Sequence, residues 1–186
     1  ALLPGSREGE IKRLSFDFIE TAKRLKQKHP KVQIVAALVN PRIAELFGAR
    51  LKKAHVDFID CRVDKTRLIL EASHAAMVTS GTATLETALH KVPHLVVYRV
   101  GAVTYHLAKG LIKTPYISMT NIIAQRKLVN EYIQDAIDHD QMAKELGEMM
   151  ALNDHAPIKQ AFYQMHESLD LNGSERAAIA ALDLIG

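Results

Sequence analysis

Short apolar runs alternate with longer segments of helical periodicity through the first hundred residues, and that alternation leaves few folds open. Strands buried on both faces read as nearly continuous aliphatic runs, and a helix between successive runs supplies the crossover that a parallel pair needs. The pattern predicts strands over residues 1–3, 32–39, 56–60, 75–78 and 94–98, with helices over 8–29, 41–54, 64–73 and 82–90. In the first helix Ile11, Leu14, Phe18, Ala22 and Leu25 recur on one face, with Lys12, Arg13, Lys23 and Lys26 on others. The expectation is an α/β fold: a parallel sheet covered by helices on both faces, with right-handed crossovers.

The second half changes character. A helix of mixed polarity is expected over 104–114, extended chain over 116–119, a small turn at 121–124, and helices over 128–134, 140–151, 155–169 and 174–185. Ile158, Phe162, Met165 and Leu169 form one apolar stripe, and Ala177, Ala178, Ala181, Leu182 and Ile185 another. Such stripes cover either this domain's own sheet or a second domain or subunit. The division expected is residues 1–152 as the sheet domain and 153–186 as carboxyl-terminal helices.

At 186 residues the chain suits one α/β domain of ordinary size. A net charge of +3, with no dense basic stripe interleaved with aromatics, gives no support to nucleic acid as a partner. The single cysteine, Cys61, leaves no internal disulfide and fits a reducing compartment. No apolar run approaches the roughly 20 residues of a membrane span, and no signal peptide is evident. The opening Ala1-Leu2-Leu3-Pro4 reads as the tail of a buried strand, so residues are expected upstream of it.

Two turns could carry chemistry. Met77-Val78-Thr79-Ser80-Gly81-Thr82-Ala83-Thr84-Leu85-Glu86 reads as a strand end, a small-residue turn and a first helical turn. The first N–H groups of a helix lack internal partners and lie at the positive end of its dipole, which suits phosphate oxygens. Gly81 allows close approach, and Glu86, four residues past Thr82, is placed to accept hydrogen bonds from ribose hydroxyls. The plainer reading is an ordinary capped helix. Pro4-Gly5-Ser6-Arg7 sets a second turn after the first strand, at the sheet end where ligands of open α/β folds bind. Arg7 opposes the helix dipole, which an anion would relieve; otherwise it is a solvated arginine. The glycine spacing is neither a dinucleotide fingerprint nor a phosphate-binding loop with Gly-Lys-Ser/Thr. One nucleotide could touch both turns.

Other signals are weaker. Asn121 could reach a phosphate or sugar hydroxyl, or could close a turn; Glu131 and Gln134 are equally open. The nine histidines define no metal site, and no nucleophile elbow or general base is evident. The stretch from Tyr98 to Tyr116 mixes aromatic, aliphatic and basic residues, as an anionic lipid surface or a plain amphipathic helix would require.

Taken in order, Leu2-Leu3-Pro4-Gly5-Ser6-Arg7 with Glu10-Ile11, Ser80-Gly81-Thr82-Ala83-Thr84-Leu85-Glu86, Pro93 with Val96-Val97-Tyr98-Arg99, Ala108-Lys109 with Leu111-Ile112-Lys113-Thr114, Asn121-Ile122-Ile123-Ala124 and Glu131-Tyr132-Ile133-Gln134 resemble the carboxyl-terminal half of the lipid-A-disaccharide synthase family. The resemblance implies a Rossmann-like sheet with carboxyl-terminal helices, one half of a two-domain GT-B-type inverting glycosyltransferase. That hexosyltransferase joins UDP-2,3-diacylglucosamine to 2,3-diacylglucosamine 1-phosphate, forming a β-1,6 disaccharide and releasing UDP.

Carried onto this chain, the resemblance implies donor binding by Gly5, Ser6, Arg7, Ser80, Gly81, Thr82, Glu86 and Asn121, with Arg7 and Asn121 nearest the chemistry. No cofactor or obligatory metal is implied. The acceptor site and the proposed catalytic carboxylate belong to the amino-terminal half, so this chain alone is expected not to transfer sugar. The family is cytoplasmic and peripheral to the inner membrane of Gram-negative cells, and its tail implies packing toward the missing half and a partner subunit, hence a homodimer. Thr120 stands where the family usually has proline, Gln125 where glycine is usual, and His74 where an aspartate often stands. Two other readings remain: a UDP-sugar epimerase, or a non-catalytic nucleotide-sugar-binding module of the same half-fold.

Overall fold

A computed structural model describes residues 1–99, 115–154, 156–169 and 182. Its strands are β1 (Leu2–Leu3), β2 (Ile34–Leu38), β3 (Ile59–Val63), β4 (Ala76–Thr79), β5 (His94–Tyr98) and β6 (Glu131–Ile133). The described helices are α1 (Glu8–Lys28), α2 (Pro41–Lys53), α3 (Thr66–Glu71), α4 (Thr82–Leu89), α5 (Met119–Ala124), α6 (His139–Met150) and α7 (Pro157–Leu169). The strands form one sheet in the order β3-β2-β1-β4-β5-β6, every pair parallel. The chain winds outward from β1 to β3, crosses back to β4 beside β1, and winds outward the other way. The sheet is a Rossmann-like, doubly wound α/β sheet, with its switch point between β1 and β4.

Alternation along the strands divides the core into two layers. Leu2, Ile34, Ala36, Leu38, Met77, Leu95 and Val97 face α1, α2 and α6, where Phe18, Phe47 and Met142 are fully buried. Leu3, Ala37, Ala76 and Val78 face the opposite way toward Ile69 and Leu70 of α3. Val96 continues that layer with Ala88 of α4, Val129, and Phe162 and Met165 of α7. The stripe of α7 therefore lies on this domain's own sheet, while Leu169 at its end is exposed.

Two polar ties hold the outer elements. Asp17 of α1 is buried and accepts two hydrogen bonds from Arg99, at 2.7 and 3.0 Å, with His139 Nε2 at 2.9 Å on the same carboxylate. Glu145 of α6 accepts from Asn130 Nδ2 at 2.9 Å and Tyr132 Oη at 2.6 Å, which fastens β6 to α6.

The structure corrects the expectation in three places. The helix expected over 128–134 is strand β6 followed by a 3-10 turn (Gln134–Ala136), because Glu131, Tyr132 and Ile133 pair in parallel with Val96, Val97 and Tyr98. The extended chain and turn expected over 116–124 instead contain α5, capped at Ser118, whose Oγ accepts from Asn121 N at 3.2 Å. The strand expected over 56–60 is β3, shifted to Ile59–Val63, where exposed Asp60 and Arg62 alternate with half-buried Cys61 and Val63 on a sheet edge. The helices expected over 104–114 and 174–185 lie outside the described residues apart from position 182. No described helix is long and apolar enough to cross a membrane.

Candidate functional site

The carboxyl ends of β1 and β4 each run into a glycine-bearing turn, and the two turns face one another across a cleft of about 360 Å³. After β1, Gly5 adopts φ +123°, a conformation L side chains avoid, and a Cβ there would lie 2.5 Å from Glu10 Oε2. Glu10 is what shapes this turn. From the first turn of α1 its carboxylate reaches back to accept the amides of Ser6, at 2.8 Å, and Arg7, at 3.1 Å, the reach-back half of a capping box. Arg7 occupies the N-cap position with its guanidinium 84% exposed and 3.5 Å from Glu10 Oε1. A pair so open to water holds the arginine weakly.

After β4, Gly81 is the N-cap of α4 with φ 143° and ψ −164°, a region that belongs almost wholly to glycine. A Cβ there would meet nothing within 4 Å, so the glycine serves backbone shape and keeps the approach open. Thr82 and Ala83, the first residues of α4, line the cleft, and the first amides of a helix have no acceptor within their own helix. Glu86 stands one turn further, exposed on the same rim.

The turn is fixed from behind. Ser80 Oγ donates to Ile117 O at 2.9 Å, Met119 N donates to Thr84 Oγ1 at 3.1 Å, and Thr120 Oγ1 donates to Thr84 O at 2.9 Å. Thr84 Oγ1 in turn donates to Gly81 O at 2.8 Å.

Gly5, Ser6, Arg7, Ser80, Gly81, Thr82 and Glu86 thus line one cleft. Asn121 does not reach it. It is fully buried, and its amide is committed on both sides: Nδ2 donates to Val129 O and Glu131 Oε1, and Oδ1 accepts from Leu128 N and Val129 N. Its place is in the framework behind the turn, as the turn-closing alternative expects, and not in the lining of the cleft. Glu10 and Thr66, which also line the cleft, were not among the expected site residues. Glu10 had a signal, since a glutamate at the third helical position after a turn is the capping-box spacing; Thr66 had none.

A larger depression of about 680 Å³ opens where the strands begin, beside Ala1, Gln33 and Ala75. In open α/β sheets ligands bind at the other end, outside the carboxyl ends of the strands at the switch point. The smaller cleft is therefore the candidate site. Among the described residues no group of three histidine, cysteine, aspartate or glutamate side chains is arranged to hold a metal ion.

Paired glycine turns beside a cleft at the switch point of a Rossmann-like sheet define the class, a doubly wound α/β domain with its candidate site outside the carboxyl ends of the strands. Residues 1–183 match the family model described as lipid-A-disaccharide synthetase. The chain is 42% identical over 187 residues to the lipid-A-disaccharide synthase of Vibrio campbellii, spanning 100% of this chain and 49% of that protein. It is 40% identical to that of Erwinia tasmaniensis and 38% identical to that of Pseudomonas fluorescens, again over 49% of each. The chain belongs to the lipid-A-disaccharide synthase family, a family of glycosyltransferases in lipid A synthesis, and spans about half the length of the curated relatives it matches.

Proposed function

We propose that the cleft between the β1 and β4 turns holds the UDP of UDP-2,3-diacylglucosamine, making this chain the donor half of a GT-B-type enzyme. The observation that carries the reading is the meeting of two anion-friendly turns, Gly5-Ser6-Arg7 and Ser80-Gly81-Thr82, on one cleft with the exposed Glu86. The α4 amides and Arg7 would take the diphosphate, and Glu86 the ribose hydroxyls. As the glycosidic bond breaks, negative charge grows on the leaving UDP, and donors already fixed around it lower the barrier without reorganising. A guanidinium and helix-terminal amides supply that charge stabilisation, so the proposed mechanism needs no metal.

In the complete enzyme the acceptor 2,3-diacylglucosamine 1-phosphate would approach from the amino-terminal half, giving the β-1,6 disaccharide phosphate with inversion. Substrates carrying acyl chains favour a location peripheral to the cytoplasmic face of the inner membrane. The test is to join this chain to the amino-terminal half of a relative. Disaccharide synthesis by the joined protein, abolished by Arg7→Ala, is expected, with none from this chain alone. UDP binding without turnover in a well-folded joined protein would instead favour a nucleotide-sugar-binding module.

A further inference from the structure

Glu131, the first residue of β6, lies outside the cleft, yet its carboxylate gathers an unusual set of donors. Oε1 accepts from Ser118 Oγ at 2.7 Å, Asn121 Nδ2 at 2.8 Å and Ser118 N at 3.0 Å, and Oε2 accepts from Ile117 N at 3.1 Å. Every donor is neutral, and among the described residues no lysine, arginine or histidine pairs with it. Three of these hydrogen bonds come from Ile117 and Ser118, so this one side chain anchors the segment they belong to. That segment is the one that fixes the β4 turn. Ile117 offers its carbonyl to Ser80, Met119 its amide to Thr84, and Thr120 its hydroxyl to the Thr84 carbonyl. Gly81 has no side chain with which to hold itself, and Ser80 and Thr84 are the two tethered residues on either side of it.

We propose that Glu131 is a positioning residue for the β4 turn: by clamping Ile117 and Ser118 it holds Ser80 and Thr84, and so aims the amides of Gly81, Thr82 and Ala83 into the cleft. The inference rests on the reading of that cleft as a nucleotide diphosphate site. Asn121 belongs to the same device, joining Glu131 to the backbone at Leu128 and Val129.

The test compares the parent with Glu131→Ala and Glu131→Gln in two measurements: exchange of the buried Thr84 amide, which closes the turn on Gly81 O at 3.2 Å, and calorimetric affinity for UDP. The control is the Ile43 amide, which donates to Asn40 Oδ1 at 2.9 Å at the remote start of α2. In Glu131→Ala, Thr84 exchange should accelerate by about tenfold or more and UDP affinity should fall about tenfold, with Ile43 unchanged. Glutamine keeps an acceptor for the Oε1 donors but sets an N–H against Ile117 N–H, so it should fall between alanine and the parent in both readouts.

Equal acceleration at Thr84 and Ile43 would reveal general destabilisation and overturn the proposal. So would a folded Glu131→Ala matching the parent at Thr84. Should alanine fail to fold, Glu131→Gln decides by the same criteria. If the parent itself does not bind UDP, the nucleotide reading of the cleft fails, and the exchange comparison still judges the brace.

Discussion

His94 shows how a residue outside the candidate cleft can set the working range of the domain. It is completely buried on β5, stacked on Phe162 at 5.5 Å, with Nδ1 2.9 Å from Val92 O and Nε2 3.2 Å from Thr120 Oγ1. Burial disfavours the imidazolium and pushes its pKa down to about 4 from an ordinary 6.5. The native state therefore keeps His94 neutral while the unfolded chain takes up a proton below pH 6.5. Stability contributed by the neutral form is full above that value and lost as pH falls toward 4, by roughly 2–4 kcal/mol in all. Unfolding free energies of the parent and His94→Gln, measured across pH 4 to 7, should show the parent's slope largely absent from the variant. Slopes of equal size would remove His94 from the account. None of this was legible in the sequence, where His94 was one of nine histidines that define no metal site. That Gly5, Arg7, Gly81 and Glu86 stand at the two turns beside the cleft was legible, because glycine at a turn and charge at a helix start announce themselves locally. Asn121 was left open between a ligand and a turn because an asparagine beside a turn looks the same whether it faces a ligand or the framework.

Elements were readable in proportion to their length and to how much of their packing is local. The 21 residues of α1 carry their own amphipathic pattern and capping signals, and the expected span differs from the observed one by a single residue. By contrast β6 has three residues and exists because β5 offers it an edge and because Asn130 and Tyr132 fasten it to Glu145. No periodicity in the sequence records those partners, and a short apolar run there suits helix and strand alike. The end of α5 gives physical sense to a departure from the family. Gln125 caps that helix in the left-handed conformation, with φ 52° and ψ 21°, where the resembled family commonly carries glycine. Gln125→Gly should relieve that conformation and raise stability by roughly 0.5–1 kcal/mol, read from denaturant midpoints. A loss of stability would mean that the Gln125 side chain contributes more than its backbone costs. Thr120 is likewise suited to its place, since its hydroxyl joins His94 to the carbonyl of Thr84.

At the scale of the whole molecule, the sheet order places the turns after β1 and β4 side by side although they are more than seventy residues apart in sequence. The alternation of strands and helices made the parallel sheet legible, and the order of the motifs made the family legible. The cleft itself came from the switch in strand order, which only the assembled fold displays. Calorimetric titration of the chain with UDP tests whether this cleft receives a uridine nucleotide through its two turns. AMP serves as the control, with and without a divalent ion, alongside Arg7→Ala and Glu86→Ala. Saturable, uracil-selective, metal-independent binding that weakens about tenfold or more in each folded variant is the predicted result. UDP affinity unchanged in both variants, or no preference for UDP over AMP, would contradict it.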